Sequence, residues 1–481
     1  MAKNKKSNDP MSKLVALCKR RGIVFQSSEI YGGVGSTYDY GPYGVTIKNN
    51  IERLWWDEMT LKHENIVGLD SAVILHPKVW DASGHLKNFS DPMVDCKECK
   101  GRFRADQING TGYGGGSDSG AGYSDGTGYG GGSGSGAGYG DGTGYGGGSE
   151  DVNVCPKCGS KNSFTEVREF NLMFDTTMGP VADDTVKTFL RPETCQGIFL
   201  DWKIVQESAR LKIPFGIAQT GKAFRNEITT GNFIFRTREF TQMEMQYFVK
   251  PGETSELINY WKEQRWNFYL SLGINEEDLR WHEHPKDKLA HYAKEAWDIE
   301  YKFPFGWGEL EGVHDRGDFD LKAHQESSGK DMTYFDDQTR ERFHPQIVET
   351  SAGLNRAMLA VLADAYREDE QAGEQRIYLA LAPHIAPVKA AIFPLVKKGG
   401  LPDIAHAIYT DLRKHFPVFY DFQGSIGKRY RRMDEIGTPY GITVDFQTLE
   451  DGTVTVRWRD TLQQERIHKD KVGEFLRDRL G

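Results

Sequence analysis

The stretch from Phe224 to Phe248, FRNEITTGNFIFRTREFTQMEMQYF, constrains the chain more than any other. Its turn cluster, Thr229-Thr230-Gly231-Asn232, separates two strand-like runs and predicts a β-hairpin. After the turn, Phe233, Phe235, Met243, Met245 and Tyr247 share one strand parity, and Arg236, Arg238, Phe240, Gln242 and Glu244 share the other. The first set reads as core. The second runs from cations through one ring to a carboxylate, an order that suits a phosphate, a flat ring and an ammonium group side by side. Guanidinium matches phosphate oxygens bidentately, and a ring stacks on a ring. A solvated sheet face with i, i+2 charge pairs fits the same residues equally well.

The length, 481 residues, is too great for one core and predicts two or three domains. A net charge of −9 argues against a protein that coats nucleic acid, though it leaves room for a local basic path. No run approaches the ~18 apolar residues of a membrane span, and the basic start, Met1 to Asn8, has no apolar run behind it. A cytoplasmic protein with no membrane partner is expected. Four of the cysteines form two C-x-x-C pairs, Cys96/Cys99 and Cys155/Cys158, with the spacing of two knuckles that share one tetrahedral zinc. Such a zinc is structural, because four protein ligands leave no position for water. A redox pair and free thiols are the alternatives. Between the knuckles, residues 109–149 repeat a Gly-, Tyr- and Ser-rich unit with too little apolar content to fold, so a disordered linker is expected. Stacking of its spaced tyrosines on single-stranded RNA is the sharper alternative.

Elsewhere the pattern is α+β. Helices are predicted over Lys13–Arg21, over Val45–Thr60 with Ile47, Ile51, Leu54, Trp55 and Met59 on one stripe, and over Gln196–Arg210. Residues 251–300 read as a helical insertion, with His282, His284 and His291 as surface histidines. Glu349 to Arg356 opens a helix that reaches Tyr366; Gly353 at its start and Arg356 one turn in would form an anion site or a plain cap. Glu193, before a helix, fits a local N-terminal carboxylate. Residues 367–376 read as a charged linker. Beyond it, strands at Val388–Leu395, Val418–Asp421 and Tyr440–Phe446, helices between them, a hairpin over Asp451-Gly452 and a closing helix from Asp470 predict a small α/β domain. Its run Ile426 to Arg432 concentrates cations, either as a solvated helix face or as an RNA contact.

Arg225-Asn226-Glu227-Ile228 followed by Asn232 to Phe240 resembles motif 2 of the class II aminoacyl-tRNA synthetases, and in particular the glycyl-tRNA synthetases of the dimeric type. The likeness runs from about Cys18 to the C-terminus, interrupted by the 109–149 insert. It implies an antiparallel-sheet catalytic domain with a zinc-ribbon insertion, plus a C-terminal α/β anticodon-binding domain. The parts would be 1–95 with motif 1, 96–165 as the ribbon, 166–366 with motifs 2 and 3, and 377–481 as the anticodon-binding domain. Tyr38-Asp39-Tyr40-Gly41-Pro42 and the helix after it correspond to motif 1, which implies a homodimer.

The resemblance also implies roles. Arg225, Glu227 and Arg356 would be catalytic. Arg225 would hold the α-phosphate of ATP, Phe240 would stack on adenine, and Arg356 would reach the γ-phosphate. Asn226, Glu227, Phe235, Arg236 and Gly353 would complete the nucleotide site, and the pair Glu309-Leu310 would meet ATP or its Mg²⁺. Glycine would be held by Glu193 of the Arg191-Pro192-Glu193-Thr194 box together with Arg104, Phe240, Gln242, Glu244, Glu349, Ser351 and Gly353. Lys428, Arg429, Arg431 and Arg432 would contact tRNA(Gly). The chain departs from the family at Gly231, Gly317, Thr350 and Cys195: the last places a potentially reactive thiol beside the site, and Thr350 for Pro would loosen a turn. Asp315 to Leu321 reads as turn residues without a catalytic role. Other class II ligases, for threonine or proline, share the C-terminal domain, and a synthetase-like nucleic-acid-binding factor without catalysis is the alternative from another class.

Overall fold

The structure, a computed structural model, describes residues 9–105, 108, 154–179, 186–228, 231–285, 294–371 and 373–480. The repeat at 109–149, with both readings of it, lies outside the described residues, as do Thr229, Thr230 and His291.

The chain opens with helices α1 (Pro10–Arg21) and α2 (Pro42–Lys62) and strand β1 (Ile66–Gly68). Helix α3 (Cys195–Ala209) leads into the long pair β2 (Phe215–Phe224) and β3 (Glu239–Val249). Helix α4 (Thr254–Ser271) precedes β4 (Leu279–Glu283), β5 (Glu295–Phe303) and β6 (Gly306–Gly317), and β7 (Gln346–Gly353) feeds α5 (Leu354–Ala365). The strands form one sheet in the order β4-β5-β6-β7-β3-β2-β1, antiparallel except for the β2–β1 pair.

Strand alternation divides this sheet into two faces. Met243, Met245 and Tyr247 of β3, with Val313, Val348 and Ala352, pack into the main core against Ile47, Ile51, Trp55 and Met59 of α2 and Leu354, Met358 and Leu362 of α5. Burying such side chains contributes roughly 1.5–3 kcal/mol each, so the α2 and α5 stripes that the sequence shows bind this face strongly. On the other face Phe248, Ile217 and Ile347 meet Ile198, Phe199 and Trp202 of α3.

Several expectations need correction. Phe233–Phe235 is a short 3₁₀ turn, and the second arm of the hairpin begins only at Glu239. Among the described residues of 251–300 only Thr254–Ser271 is a long helix; β4 and β5 join the main sheet, where Asp298 and Ile299 are buried. Glu349 to Gly353 is strand, and Thr350 lies in mid-strand, wholly buried, so no turn is loosened there. Residues 367–376 are no linker: Tyr366–Gln371 and Glu374–Leu379 pair as a hairpin, anchored where Arg376 reaches Asp369 at 3.0 Å and Asp434 at 3.2 Å.

The C-terminal sheet orders Val418–Tyr420, Ala390–Pro394, Tyr440–Val444, Thr453–Trp458 and Gln464–His468 as neighbours, the first three parallel. Helices Leu401–Leu412 and Val472–Leu480 bury Ala405, Ile408, Phe475 and Leu476 against it. Asp451-Gly452 ends a short helix, with Gly452 in the left-handed conformation, and the hairpin turns later, between Trp458 and Gln464.

Candidate active site

At the start of β3 and the end of β7 a cleft opens. Arg225, Glu227, Phe235, Arg236, Phe240 and Gln242 line it from the hairpin, Glu309 from β6, and Ser351, Gly353 and Arg356 from β7 and α5. Residues from three separate stretches of sequence therefore share one cavity. Asn226 and Leu310 are absent from its lining: Asn226 donates its backbone N–H to Leu172 O at 2.7 Å, and Leu310 is buried in the core, so only its main chain could meet a ligand.

The cations are pre-positioned. Arg225 Nε donates to Pro192 O at 3.0 Å, and its guanidinium lies 5.4 Å from the Phe240 ring centroid. Arg356 Nε donates to Phe235 O at 3.1 Å, its Nη1 pairs with Glu309 at 3.2 Å, and its guanidinium covers the Phe235 ring at 4.4 Å. Burial pushes the Glu309 carboxyl up to about 7 against the pull of Arg356. The guanidiniums of Arg225 and Arg356, the Phe240 ring and the Glu309 carboxyl thus face one space, which suits a nucleotide with its phosphates.

Deeper on the same sheet face stand three buried carboxylates. Register explains two of them: Gln242, Glu244 and Gln246 share a parity on β3, and Glu244 lies opposite Ser351 and Gln246 opposite Glu349 across to β7. Glu193 arrives on the loop before α3, pinned by Arg191, whose guanidinium donates to Lys222 O at 2.7 Å and Ser71 O at 2.9 Å. That guanidinium fills the space over Gly221, where a Cβ would come within 2.1 Å of it.

Each carboxylate has its own environment. Burial alone would raise Glu193, but His85 at 3.3 Å, with Arg316, holds it well below the usual range. Burial would also raise Glu349, yet Arg316 at 3.0 Å and His314 at 3.1 Å bring it down to about 2. Glu244 receives only neutral donors, Thr194 Oγ1 and Gln246 Nε2, and among the described residues makes no ion pair. Burial and the neighbouring charges of Glu349 and Glu193 push it well above the usual range. One carboxylate in the pocket therefore lacks a cation of its own, and a small ammonium would supply one.

The sequence reading missed His85, Arg316, His314 and Gln246. Gln246 continues the 240-242-244 parity and was open to the same argument. Arg316 sits in the box read as turn residues and instead bridges Glu349 and Asp320. Gly317 has φ of 62°, a left-handed conformation that favours glycine at that point. His284 is no surface histidine: it is largely covered and meets Asp298 at 2.6 Å. Cys195 is fully buried, its thiol pushed well above its ordinary value by burial and by Glu193, which makes it unreactive rather than reactive.

Arg104 lies outside the cleft lining and pairs with Asp91 at 3.0 Å. The basic helix also needs correction. Arg429 is buried, donating to Pro394 O at 2.6 Å and Leu395 O at 3.2 Å, because it shares the inner face of Ile426–Asp434 with Met433. Arg431 pairs with Glu374 and Arg432 with Asp421, while Lys428 is exposed.

The four thiolate candidates converge. Cys96, Cys99, Cys155 and Cys158 present sulfurs within 4.8 Å of one another, with Cys96–Cys158 at 3.8 Å and Cys99–Cys155 at 3.7 Å. A tetrahedron with ~2.3 Å zinc–sulfur bonds has edges of about 3.8 Å, so the group could bind zinc. No helix among the described residues is long and apolar enough to cross a membrane.

Residues 180–365 match the tRNA synthetase class II core domain (G, H, P, S and T), and residues 389–479 match the anticodon binding domain. The glycine–tRNA ligase of Treponema denticola is 50% identical over 468 residues, covering 96% of this chain and 95% of the relative. That of Caldanaerobacter subterraneus is 51% identical over 470 residues, covering 98% of each. That of Chlorobaculum tepidum is 51% identical over 483 residues, covering 98% of this chain and all of the relative.

Proposed function

The chain belongs to the glycine–tRNA ligase family, with a class II core and an anticodon-binding domain, and from that premise we propose that it activates glycine with ATP and passes it to tRNA(Gly). In the first step the glycine carboxylate attacks the α-phosphorus, forming glycyl-adenylate and releasing pyrophosphate. In the second, a hydroxyl of the tRNA's terminal ribose attacks the glycyl carbonyl and AMP leaves.

The observation that carries this reading is the shared cleft: Arg225, Phe240, Glu309 and Arg356 line one cavity whose strands continue into Glu244 and Glu349. Carboxylate attack on a phosphate joins two anions, so Arg225 at the α-phosphate and Arg356 at the γ-phosphate would act where charge accumulates. Glu227 and Arg236, 3.9 Å apart, would complete the nucleotide site with Phe240 under the adenine. Glu309 would hold the Mg²⁺ that accompanies ATP, and that ion would supply positive charge to offset the phosphates. No side-chain nucleophile is required, since orientation and charge stabilisation suffice for transfer between bound groups.

Glu193, Glu244, Glu349, Gln242 and Ser351 would surround the glycine, its ammonium seated at Glu244. Their side chains would exclude a β-carbon, since one excess methylene in a packed site costs ~1–3 kcal/mol. The four cysteines would hold a structural zinc. Exposed Ile30, Tyr31, Val34 and Val45, in and beside the motif 1 region, suit a homodimer interface. Lys428 and its neighbours on the C-terminal domain would meet tRNA phosphates, in the cytoplasm where that tRNA resides. Pyrophosphate exchange assayed with each standard amino acid tests the assignment. Exchange with glycine alone is expected; exchange with threonine or proline would name a different ligase, and none would indicate a non-catalytic factor.

A further inference from the structure

We propose, resting on the reading of Glu349 as a wall of the glycine pocket, that His314 is a positioning residue: clamped between Asp298 and Glu349, it aims and charges the carboxylate that the amino acid meets. Antiparallel register sets His314 of β6 directly opposite Glu349 of β7. Two residues earlier on the same strand face, Gly312 makes room for the ring, because a Cβ there would lie 2.4 Å from His314 Cε1.

The two ring nitrogens have carboxylate partners on both sides, Glu349 Oε1 at 3.1 Å from Nδ1 and Asp298 Oδ1 at 3.5 Å from Nε2. Ionised carboxylates only accept, so both nitrogens carry hydrogen and the ring is an imidazolium. Its second partner is itself fixed: Asp298 is 7% exposed, and its other oxygen meets His284 at 2.6 Å. The charged and titratable groups around the ring are thus Asp298 from β5, His284 just past the end of β4, Glu349 from β7 and Glu309 from its own strand. Burial alone would lower the imidazole, but the hydrogen bonds to Asp298 and Glu349 hold it up at about 10.

Around Glu349 the donors are His314, Gln246 at 2.6 Å and Arg316 at 3.0 Å. A carboxylate offers about four lone-pair sites, so three donors leave one for an ammonium N–H while preventing rotation of the group. Removing His314 frees that rotation and takes away a neighbouring cation, while His314 itself is not among the residues that line the nucleotide cleft.

The test is glycine-dependent pyrophosphate exchange by the full-length chain carrying His314→Ala, His314→Gln or Asp298→Asn. His314→Ala should raise KM for glycine about tenfold or more, the size of one hydrogen bond to a charged group. His314→Gln, which keeps an N–H donor but not the charge, should fall between it and the wild type. KM for ATP and kcat at saturating glycine should stay within about twofold, the signature of lost uniform binding of one substrate. A glycine KM within about twofold of wild type in both His314 variants would overturn the inference, as would a parallel loss for glycine and ATP with a lowered Tm. If His314→Ala fails to fold, the Gln and Asn variants decide by the same criterion. Absence of glycine exchange in the wild type would instead sink the reading of the pocket itself.

Discussion

Glu244→Gln probes the pocket with little change in shape. Glu244 is 1% exposed, accepts from Thr194 and Gln246, and has no cation of its own among the described residues. Burial and the charges of Glu349 and Glu193 raise its pKa, so the free pocket holds a proton there more readily than an ordinary carboxyl does. An arriving ammonium replaces that proton. The variant keeps volume but loses a charge-assisted hydrogen bond of ~1.5–3 kcal/mol, which corresponds to a rise in KM for glycine of about 10–150-fold. KM for ATP should hardly move. Sign follows from linkage: glycine binds the deprotonated form, so in the wild type KM for glycine falls as pH rises towards the raised pKa, and the Gln variant lacks that slope. Initial exchange rates against glycine concentration at several pH values measure both. A glycine KM less than about threefold above wild type, with the pH slope retained, would refute the reasoning.

Other outcomes follow from the same geometry. Arg225→Ala should abolish pyrophosphate exchange while tRNA binding, followed by filter retention, persists. Arg265 is wholly buried between Glu311 at 2.7 Å and Glu58 at 3.0 Å; Arg265→Met should cost about 3–5 kcal/mol by denaturant midpoint, and Arg265→Met with Glu311→Gln should recover part of the loss. Elemental analysis should find one zinc per chain, lost in Cys99→Ser together with thermal stability. His314 is held at about 10 against an ordinary 6.5, so its contribution to stability is complete below 6.5 and is lost as pH rises through 10; His314→Gln should show a shallower decline over that window in thermal denaturation.

How far the sequence reached depended on the kind of signal. The parity of Phe240, Gln242 and Glu244 was legible because a strand repeats every two residues, and the α2 stripe because a helix repeats every 3.6. Partners set by pairing across strands were not legible: nothing local announces that His314 faces Glu349, or that Arg316 spans to it from the next strand over. Trp297, inside the 251–300 stretch that reads as a helical insertion, misled in another way. Its spacing from the apolar residues before it mimics a helical stripe, yet it sits on β5 with the Lys262 ammonium 3.1 Å from its ring centroid. Arg429 shows that a basic run on a short helix has an inner face, where a guanidinium caps carbonyls of the domain's own sheet.

The most direct measurement is a crystal structure with a non-hydrolysable glycyl-adenylate analogue. The adenine should lie against Phe240, the phosphate mimic beside Arg225, and the ammonium within hydrogen-bond distance of Glu244. Density for the analogue elsewhere, with this cleft vacant or filled by the protein's own side chains, would contradict the account.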